Sequence, residues 1–203
     1  FLSELRDAQI QKDSMRFRKN LVRLGEISAY ELSKSLDYHP LSTNTPLGTS
    51  TTQVPNDNIV LATILRAGLP LHNGLLNYFD TAENCFISAY RKHTSADDFE
   101  VEIEYLASPS LEGKVVLLSD TMLASGQSMI LAYKALLKKG QPSNIHIVSV
   151  IGSQLGINLV GEIFPDNTTL WIGAIDPKMT TQSYIVPGLG DAGDLAFGEK
   201  DDE

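Results

Sequence analysis

Residues Lys114 to Leu137 read KVVLLSDTMLASGQSMILAYKALL, and they decide the fold of this chain. The four apolar residues from Val115 to Leu118 predict a buried strand, and the apolar pattern from Met129 to Leu137 predicts a helix. Asp120 to Ser128 is then a strand-to-helix loop that is rich in small and hydroxyl-bearing residues. In such a loop, backbone N–H groups converge on an anion at the N-terminus of the helix. The stretch therefore predicts a phosphate site, although the same residues are compatible with a tight turn that only connects the two elements.

Apolar strands continue on both sides of this stretch. They are predicted at Asn58 to Leu65, at Cys85 to Tyr90, from Ile145 onward and near Leu170 to Ala174, with intervening helices. This order is typical of an α/β fold with a mainly parallel sheet flanked by helices. Ligands of such sheets bind at the carboxyl ends of the strands. The loop that starts at Asp120 follows one of these ends.

The N-terminal region, residues 1–36, is predicted to contain an amphipathic helix. Its apolar stripe consists of Phe17, Leu21, Leu24, Ile27 and Tyr30. The stripe is most simply a face that packs on the core, and a helix of this kind also serves as a subunit contact.

Two further segments lie outside the predicted parallel strands. Pro40 to Pro55 is rich in Ser, Thr, Asn and Pro, which predicts a loop. Phe99 to Tyr105 reads FEVEIEY and alternates apolar residues with glutamates, which predicts a half-exposed antiparallel strand. We expect this strand to form an arm rather than part of the core.

Length and charge limit the possible functions. A chain of 203 residues with 42% hydrophobic content is long enough for one well-buried domain, which we assign to residues 1–203. The net charge of −9 argues against nucleic acid or an anionic membrane surface as a partner. The single cysteine, Cys85, has no second cysteine to pair with, and no signal or membrane-spanning segment is evident. The composition is typical of a soluble, cytoplasmic protein.

Arg66 stands at the end of a predicted strand, in the run ILRAGLP from Ile64 to Pro70. A guanidinium in that position is costly unless it meets an anion. The anion is either a ligand or a core carboxylate in a salt bridge, and the residues alone leave both open. Arg91, in AYRKHT, also follows a strand. From its surroundings alone, Arg91 is more simply a solvated loop residue.

Residues Tyr184 to Gly198 read YIVPGLGDAGDLAFG and contain four glycines and a proline. This composition predicts a rigid, irregular loop with exposed backbone amides and carbonyls. A glycine-rich surface loop without a function is the alternative interpretation.

These motifs together resemble those of one enzyme family. The loop DTMLASGQS resembles the phosphoribosyl pyrophosphate (PRPP) loop of the phosphoribosyltransferases, and most closely the DPMLATGGS of the uracil phosphoribosyltransferases. ILRAG and YRKHT are similar to the family's ILRAG and YRDEET, and Tyr184 to Gly198 is nearly its uracil-binding segment. The resemblance extends from Leu2 to Gly198.

The resemblance implies both substrates and their binding residues. PRPP is expected at Arg66, Arg91, Asp120, Thr121, Met122, Leu123, Ala124, Ser125, Gly126, Gln127, Ser128 and Asp191. Uracil is expected at Ile185, Gly190, Asp191 and Ala192. Asp120, Arg66 and Asp191 are the expected catalytic residues, and Mg²⁺ is expected mainly on the oxygens of PRPP rather than on a dedicated protein site. The residues do not identify a general base for N1 of uracil.

Main-chain recognition would explain a preference for uracil. Uracil offers O2 and O4 as acceptors and N3–H as a donor, whereas cytosine has a donor amine in place of O4 and an acceptor at N3. A fixed array of backbone groups that fits uracil is left mispaired by cytosine, at about 1–3 kcal/mol per buried group.

The chain departs from the family pattern at three places. Thr121 stands where proline is usual, Gln127 where glycine is usual, and Leu195-Ala196 where an arginine and a larger apolar residue are usual. If the loop needs a left-handed conformation at Gln127, a glutamine there costs on the order of 1 kcal/mol and weakens phosphate binding.

Three functions follow from these observations. The first is an enzyme that converts uracil and PRPP to UMP and pyrophosphate. The second is a non-catalytic protein that binds UMP or PRPP on the same fold, and the third is a phosphoribosyltransferase for another base. The resemblance implies a homodimer or a higher homo-oligomer, with the N-terminal helix and the arm as candidate contacts. The residues do not decide whether a nucleotide such as GTP activates the protein.

Overall fold

The computed structural model describes residues 1–56, 58–93 and 99–200, without the side chains of 89–93 and 99–102. The helices and strands follow in chain order as α1 (Leu2–Arg6), α2 (Ser14–Ser33), β1 (Tyr38–Thr45), β2 (Gly48–Pro55), β3 (Ile59–Leu65), α3 (Leu69–Tyr78), β4 (Glu83–His93), β5 (Phe99–Ala107), β6 (Val115–Ser119), β7 (Met122–Leu123), α4 (Gln127–Leu136), β8 (Asn144–Ser153), α5 (Gln154–Ile163), β9 (Thr168–Asp176), β10 (Lys178–Met179), β11 (Ile185–Val186) and α6 (Ala192–Phe197). Short 3₁₀ turns cover Ile10–Lys12 and Leu137–Lys139.

A seven-stranded sheet forms the centre of the molecule. Its strands lie in the order β5-β4-β3-β6-β8-β9, and the two-residue β7 pairs with the last part of β8. The pairs β3–β4, β3–β6, β6–β8 and β8–β9 are parallel, and only β5 runs antiparallel, against β4. The predicted mainly parallel α/β fold and the predicted antiparallel strand are therefore both confirmed.

The central strands of the sheet, β3, β6 and β8, are buried on both faces, and their side chains alternate between two apolar layers. Leu61 and Leu117 point into one layer, where they meet α2 and α3. Val60, Val116 and Leu118 point into the other, where they meet α4 and α5. Strands that are covered on both faces need continuous apolar runs, which explains why β3 and β6 were recognisable in the sequence.

Two predictions about the N-terminal half are wrong. Pro40 to Pro55 is not a loop, because β1 and β2 pair there as an antiparallel hairpin whose side chains are almost all exposed. In α2, Phe17 and Leu21 are buried as predicted, but Ile27 and Tyr30 are 49% and 53% exposed. Small residues of α2 are buried instead, and they include Gly25 and Ala29.

Helix α2 lies unusually close to α3 because glycines face each other where they cross. A Cβ atom on Gly25 would lie 2.3 Å from the carbonyl oxygen of Leu71 and 2.9 Å from Cα of Gly74. Helix α3 follows directly on the turn that contains Arg66, so this contact fixes one wall of the region described below. In the described ranges, no helix has the length and apolar character needed to cross a membrane.

Candidate active site

Three chain segments meet at the carboxyl edge of the sheet. We call them the arginine turn (Arg66–Gly68, after β3), the phosphate loop (Asp120–Ser128, after β6) and the C-terminal loop (Tyr184–Gly198). Because β3 and β6 are adjacent and parallel, the arginine turn and the phosphate loop leave the sheet at the same edge.

Hydrogen bonds and charge connect the three segments. The hydroxyl of Thr121 donates to the carbonyl oxygen of Ala67 over 2.7 Å, which joins the phosphate loop to the arginine turn. Arg66 Nη2 donates to Oδ1 of Asp194 at 2.9 Å and to the carbonyl oxygen of Gly198 at 3.2 Å, which joins the arginine turn to the C-terminal loop. The structure therefore brings the three predicted motifs together at one edge of the sheet.

The phosphate loop turns into α4 at a glycine. Gly126 has φ +83°, in the left-handed region, and Gln127 is the first residue of the helix. A Cβ atom at position 126 would also lie 3.2 Å from the carbonyl oxygen of Gly156. The condition under which Gln127 would be costly is therefore not met, since the glycine beside it takes the left-handed conformation.

Helix α4 begins without a capping side chain. Its N-cap is Gly126, so its first backbone N–H groups have no partner within the helix and none from the N-cap residue. Helix α3, after the arginine turn, likewise has a glycine N-cap without a side-chain bond. By contrast, Ser153 caps α5 and Asp191 caps α6. Apart from the weak bond of the Gln127 amide to Oγ of Ser125, no side chain of the described residues caps α4, and such an N-terminus is well suited to hold a phosphate group.

The side chains of the phosphate loop divide into buried and accessible ones. Thr121 and Leu123 are 0% and 1% exposed, so only their main chains are available to a ligand. Met122 and Ala124 pack partly against the core. Ser125, Gln127 and Ser128 are partly or fully exposed, and the hydroxyl of Ser125 accepts weakly from the amide of Gln127 at 3.5 Å.

Asp120 is a titratable group at the start of the phosphate loop, directly after β6. Burial raises the pKa of its carboxyl group to about 7, against the favourable hydrogen bonds from the backbone amides of Thr121 and Met122. The negative charge of Asp191, in the C-terminal loop, contributes to the rise. Asp120 is therefore near half ionisation at neutral pH, as is typical of residues at functional sites.

Arg66 meets the carboxylate of Asp194, a residue that the sequence analysis did not assign to the site. Both side chains are more than a third exposed, at 38% and 35%, and the Nε atom of Arg66 is buried without a hydrogen-bond partner. A carboxylate in a salt bridge was one of the two kinds of anion that the sequence left open as the partner of Arg66; the other was a ligand. Asp194 lies three residues after the N-cap Asp191, whose Oδ1 accepts from its amide, and this spacing was visible in the sequence.

The C-terminal loop offers mainly backbone groups. Ile185 is 6% exposed and Ala192 is fully buried, so neither side chain is accessible to a base. Gly190 is exposed and has φ +89°. Of the residues expected to bind uracil, only Asp191 has a polar side chain, and one oxygen of that carboxylate already caps α6.

Two further predictions concern Arg91 and the departure from the family pattern at Leu195-Ala196. The backbone of Arg91 lies in β4 opposite Val101, but its side chain, with its predicted contact to pyrophosphate, is outside the described part of the chain. At the departure Leu195-Ala196, Ala196 is fully buried and its carbonyl oxygen accepts from Nη1 of Arg18 at 2.6 Å.

The carboxylates of the phosphate loop and the C-terminal loop fit a metal that is held mainly by a substrate. Within the described residues, no group of three or more His, Cys, Asp or Glu side chains is arranged to hold a metal ion. The charge of Asp191 acts on the carboxyl group of Asp120, and hard cations such as Mg²⁺ prefer carboxylate and phosphate oxygens.

Comparison with known proteins first defines the class. The fold is that of the phosphoribosyltransferases: a hypoxanthine phosphoribosyltransferase from Staphylococcus aureus superposes with a TM-score of 0.53, over 80% of this chain and 76% of the other, at 17% identity. A solved structure from Aquifex aeolicus superposes with a TM-score of 0.88 and 30% identity, over 97% of this chain and 92% of the other.

Sequence comparison then narrows the class. This chain belongs to the uracil phosphoribosyltransferase family, whose family model matches residues 1–199. It is 57% identical over 200 residues to the uracil phosphoribosyltransferase of Porphyromonas gingivalis, covering 98% of this chain and 93% of that protein. It is 40% identical to that of Methanococcus maripaludis, covering 98% of this chain and 84% of that protein.

Proposed function

We propose that this protein transfers the 5-phosphoribosyl group of PRPP to N1 of uracil, with UMP and pyrophosphate as products, in pyrimidine salvage. The observation that carries the proposal is the meeting of the arginine turn, the phosphate loop and the C-terminal loop at one edge of the sheet, in a chain of this family. A new bond forms between N1 and C1 of the ribose, the bond from C1 to the pyrophosphate oxygen breaks, and N1 loses its proton.

The phosphate loop is the proposed site of the 5-phosphate. The uncapped first turn of α4 and the hydroxyls of Ser125 and Ser128 supply donors, and the positive end of the helix dipole favours the anion. Thr121, Met122, Leu123, Ala124, Gly126 and Gln127 contribute through their backbones.

Arg66 is the proposed ligand of the departing pyrophosphate. Its guanidinium is partly exposed and contacts the carboxylate of Asp194 through Nη2 alone, so an anion from solution can replace that carboxylate. Arg91 is the second proposed pyrophosphate ligand, on the family resemblance alone. Stabilising charge that develops on a leaving group is a large part of enzymatic rate enhancement.

Asp120 is proposed to accept hydrogen bonds from the ribose hydroxyls, because it begins the phosphate loop and its carboxyl group is influenced by Asp191 of the C-terminal loop. Asp191 is proposed to reach PRPP or its metal with the carboxylate oxygen that does not cap α6. Bound Mg²⁺ would neutralise charge on the pyrophosphate, and the carboxylates of Asp120 and Asp191 are the groups of the described chain that would face it.

Uracil is proposed to be recognised by the backbone of the C-terminal loop. The buried side chains of Ile185 and Ala192 and the absence of one at Gly190 support this, since only main-chain groups are available at these positions. Backbone groups in fixed positions reject a base whose donors and acceptors are exchanged.

Assembly and location are also proposals. We propose a cytoplasmic homodimer or higher homo-oligomer. The half-exposed side chains of Ile27 and Tyr30 on α2, and of Tyr105 on β5, support contacts on the N-terminal helix and on the arm.

The activity is tested by mixing the protein with Mg²⁺, PRPP and each of a panel of bases that includes uracil, cytosine and hypoxanthine. The expected result is UMP and pyrophosphate in equal amounts from uracil, and no nucleotide from the other bases. Nucleotide formation from another base instead of uracil would show that this other base is the substrate. Tight binding of UMP without turnover would indicate a non-catalytic sensor instead.

A further inference from the structure

A second ion pair joins three distant parts of the chain: the end of α1, the end of β9 and the C-terminal loop. Arg6, at the end of α1, meets Asp176, at the end of β9, through two contacts: Nη1 to Oδ2 and Nη2 to Oδ1, both 2.9 Å. The side chains are only 22% and 7% exposed. The paired guanidinium and carboxylate therefore form a closed, bidentate unit with little access to solvent.

This pair binds both backbone polar groups of Gly188. Arg6 Nη1 donates to the carbonyl oxygen of Gly188 at 3.2 Å, and the amide of Gly188 donates to Oδ2 of Asp176 at 3.1 Å. Gly188 has φ +60°, and a Cβ atom there would lie 2.1 Å from the carbonyl oxygen of Ile185. The turn is thus held at a residue that only glycine fits.

Gly188 lies between two of the residues that are proposed to contact uracil, Ile185 and Gly190. Since both polar groups of Gly188 are used by the ion pair, base recognition falls to the peptide groups on either side. The N-terminal segment also reaches Gly190, because the buried and unpartnered Oε1 of Gln11 lies 3.9 Å from the place of a Cβ atom at that glycine.

We propose that Arg6 and Asp176 are positioning residues for base recognition: by fixing Gly188, they set the orientation of the backbone groups that distinguish uracil from other bases. This inference rests on the proposed function of the C-terminal loop. A backbone array discriminates only while it is rigid, and glycine-rich turns lose rigidity when their tertiary hydrogen bonds are removed.

The test compares Arg6→Lys and Asp176→Asn with the matched control Arg16→Gln. Arg16 also forms an ion pair in the N-terminal segment, with Glu4, and among the described residues the side-chain hydrogen bonds of this pair stay within residues 4–20. Arg6→Lys keeps the positive charge and loses the fork that reaches both carboxylate oxygens. It is the milder variant if Asp176→Asn fails to fold.

Steady-state kinetics give the first readout. The expected result for Arg6→Lys is a KM for uracil that rises about tenfold, a KM for PRPP within twofold of the original, and a smaller preference for uracil over cytosine. The control should change none of these. An unchanged KM for uracil in Arg6→Lys, with a lower melting temperature, would reduce the pair to a structural role and overturn the proposal.

Amide hydrogen exchange gives a readout that does not require turnover. Exchange at Gly188 and the following residues should increase at least tenfold in Arg6→Lys and remain unchanged in Arg16→Gln. If the unmodified protein made no UMP while exchange changed as expected, the proposed function would be wrong although the pair still held the loop. Unchanged exchange in Arg6→Lys would contradict the positioning role directly.

Discussion

Two arginine–aspartate pairs hold the C-terminal loop, and they are built differently. Arg6 and Asp176 make two contacts at 2.9 Å and are mostly shielded from solvent. Arg66 and Asp194 make one contact of the same length, are each more than a third exposed, and leave the Nε of Arg66 unpartnered. The first pair is saturated and shielded, whereas the second is accessible from solvent, where another anion can compete with Asp194 for Arg66.

The difference separates support from ligand binding within one loop. A buried bidentate pair is costly to break, because removal of one partner leaves the other charge desolvated. An exposed pair with a single contact contributes little to stability and exchanges its partner easily. We infer that the loop is fixed on the side of Gly188 and remains open on the side of Arg66, where pyrophosphate is proposed to bind.

The largest expected effect is on stability at the closed pair. Asp176→Asn should lower the free energy of unfolding by about 3–5 kcal/mol, since Arg6 would keep a poorly solvated charge without its carboxylate. The same change at the open pair, Asp194→Asn, should cost less than about 1 kcal/mol. Denaturant unfolding of both variants tests the contrast. Equal losses would show that the two pairs do not differ in this way.

The next effect is on catalysis at the open pair. Arg66→Gln should reduce kcat/KM for PRPP by roughly 10²–10³, because a positive charge that stabilises the leaving group is lost, while the free energy of unfolding changes little. Arg18→Gln is a suitable control, since Arg18 also donates to the C-terminal loop, at the carbonyl oxygen of Ala196. Normal turnover in Arg66→Gln would remove this residue from the mechanism.

The phosphate loop, through Asp120, should determine part of the pH dependence of catalysis. Because the pKa of Asp120 is raised to about 7, kcat/KM for PRPP should fall as pH decreases through 7, by up to tenfold per unit, as the carboxylate becomes protonated. Asp120→Asn should lower kcat more than it weakens binding, and it should abolish this part of the profile. The titration of PRPP itself would persist in Asp120→Asn, so the difference between the two pH profiles isolates the contribution of Asp120.

Ionisation of Asp120 should have the opposite effect on stability: it should raise kcat/KM and lower the free energy of unfolding. An acid whose pKa is raised in the folded state destabilises that state when it ionises, so the cost appears as pH rises from about 4 to 7 and is constant above. Asp120→Asn removes the cost and should be more stable than the original by up to about 4 kcal/mol above pH 8. Unfolding experiments at pH 4 and pH 8 test this, and an equal difference at both values would contradict the raised pKa.

The sequence predicted the positions of the site better than its internal contacts. Strands β3 and β6 were identifiable because they are buried on both faces, and their carboxyl ends placed Arg66 and Asp120 at one edge. The ion pairs between distant parts of the chain were not predictable in the same way. Arg6 and Asp176 are separated by 170 positions, and neither lies in a recognisable motif.

Local patterns failed where burial does not decide the structure. The β1–β2 hairpin has polar side chains on both faces and packs little, so no apolar periodicity marks its strands. In α2, the stripe of large apolar residues includes Ile27 and Tyr30, which are exposed. It does not include Gly25, whose small size permits close contact with α3. In the phosphate loop, the left-handed position was Gly126 rather than Gln127.

The smallest expected effect tests whether the open pair exchanges its partner. Asp194→Asn removes the carboxylate that neutralises Arg66, so pyrophosphate should bind a few-fold more tightly to the free protein because no ion pair must first break. The gain should decrease with added salt, which screens an exposed pair. Isothermal titration with Mg²⁺ and pyrophosphate measures it, and weaker binding in the variant would mean that Asp194 orients Arg66 for its ligand rather than competing with it.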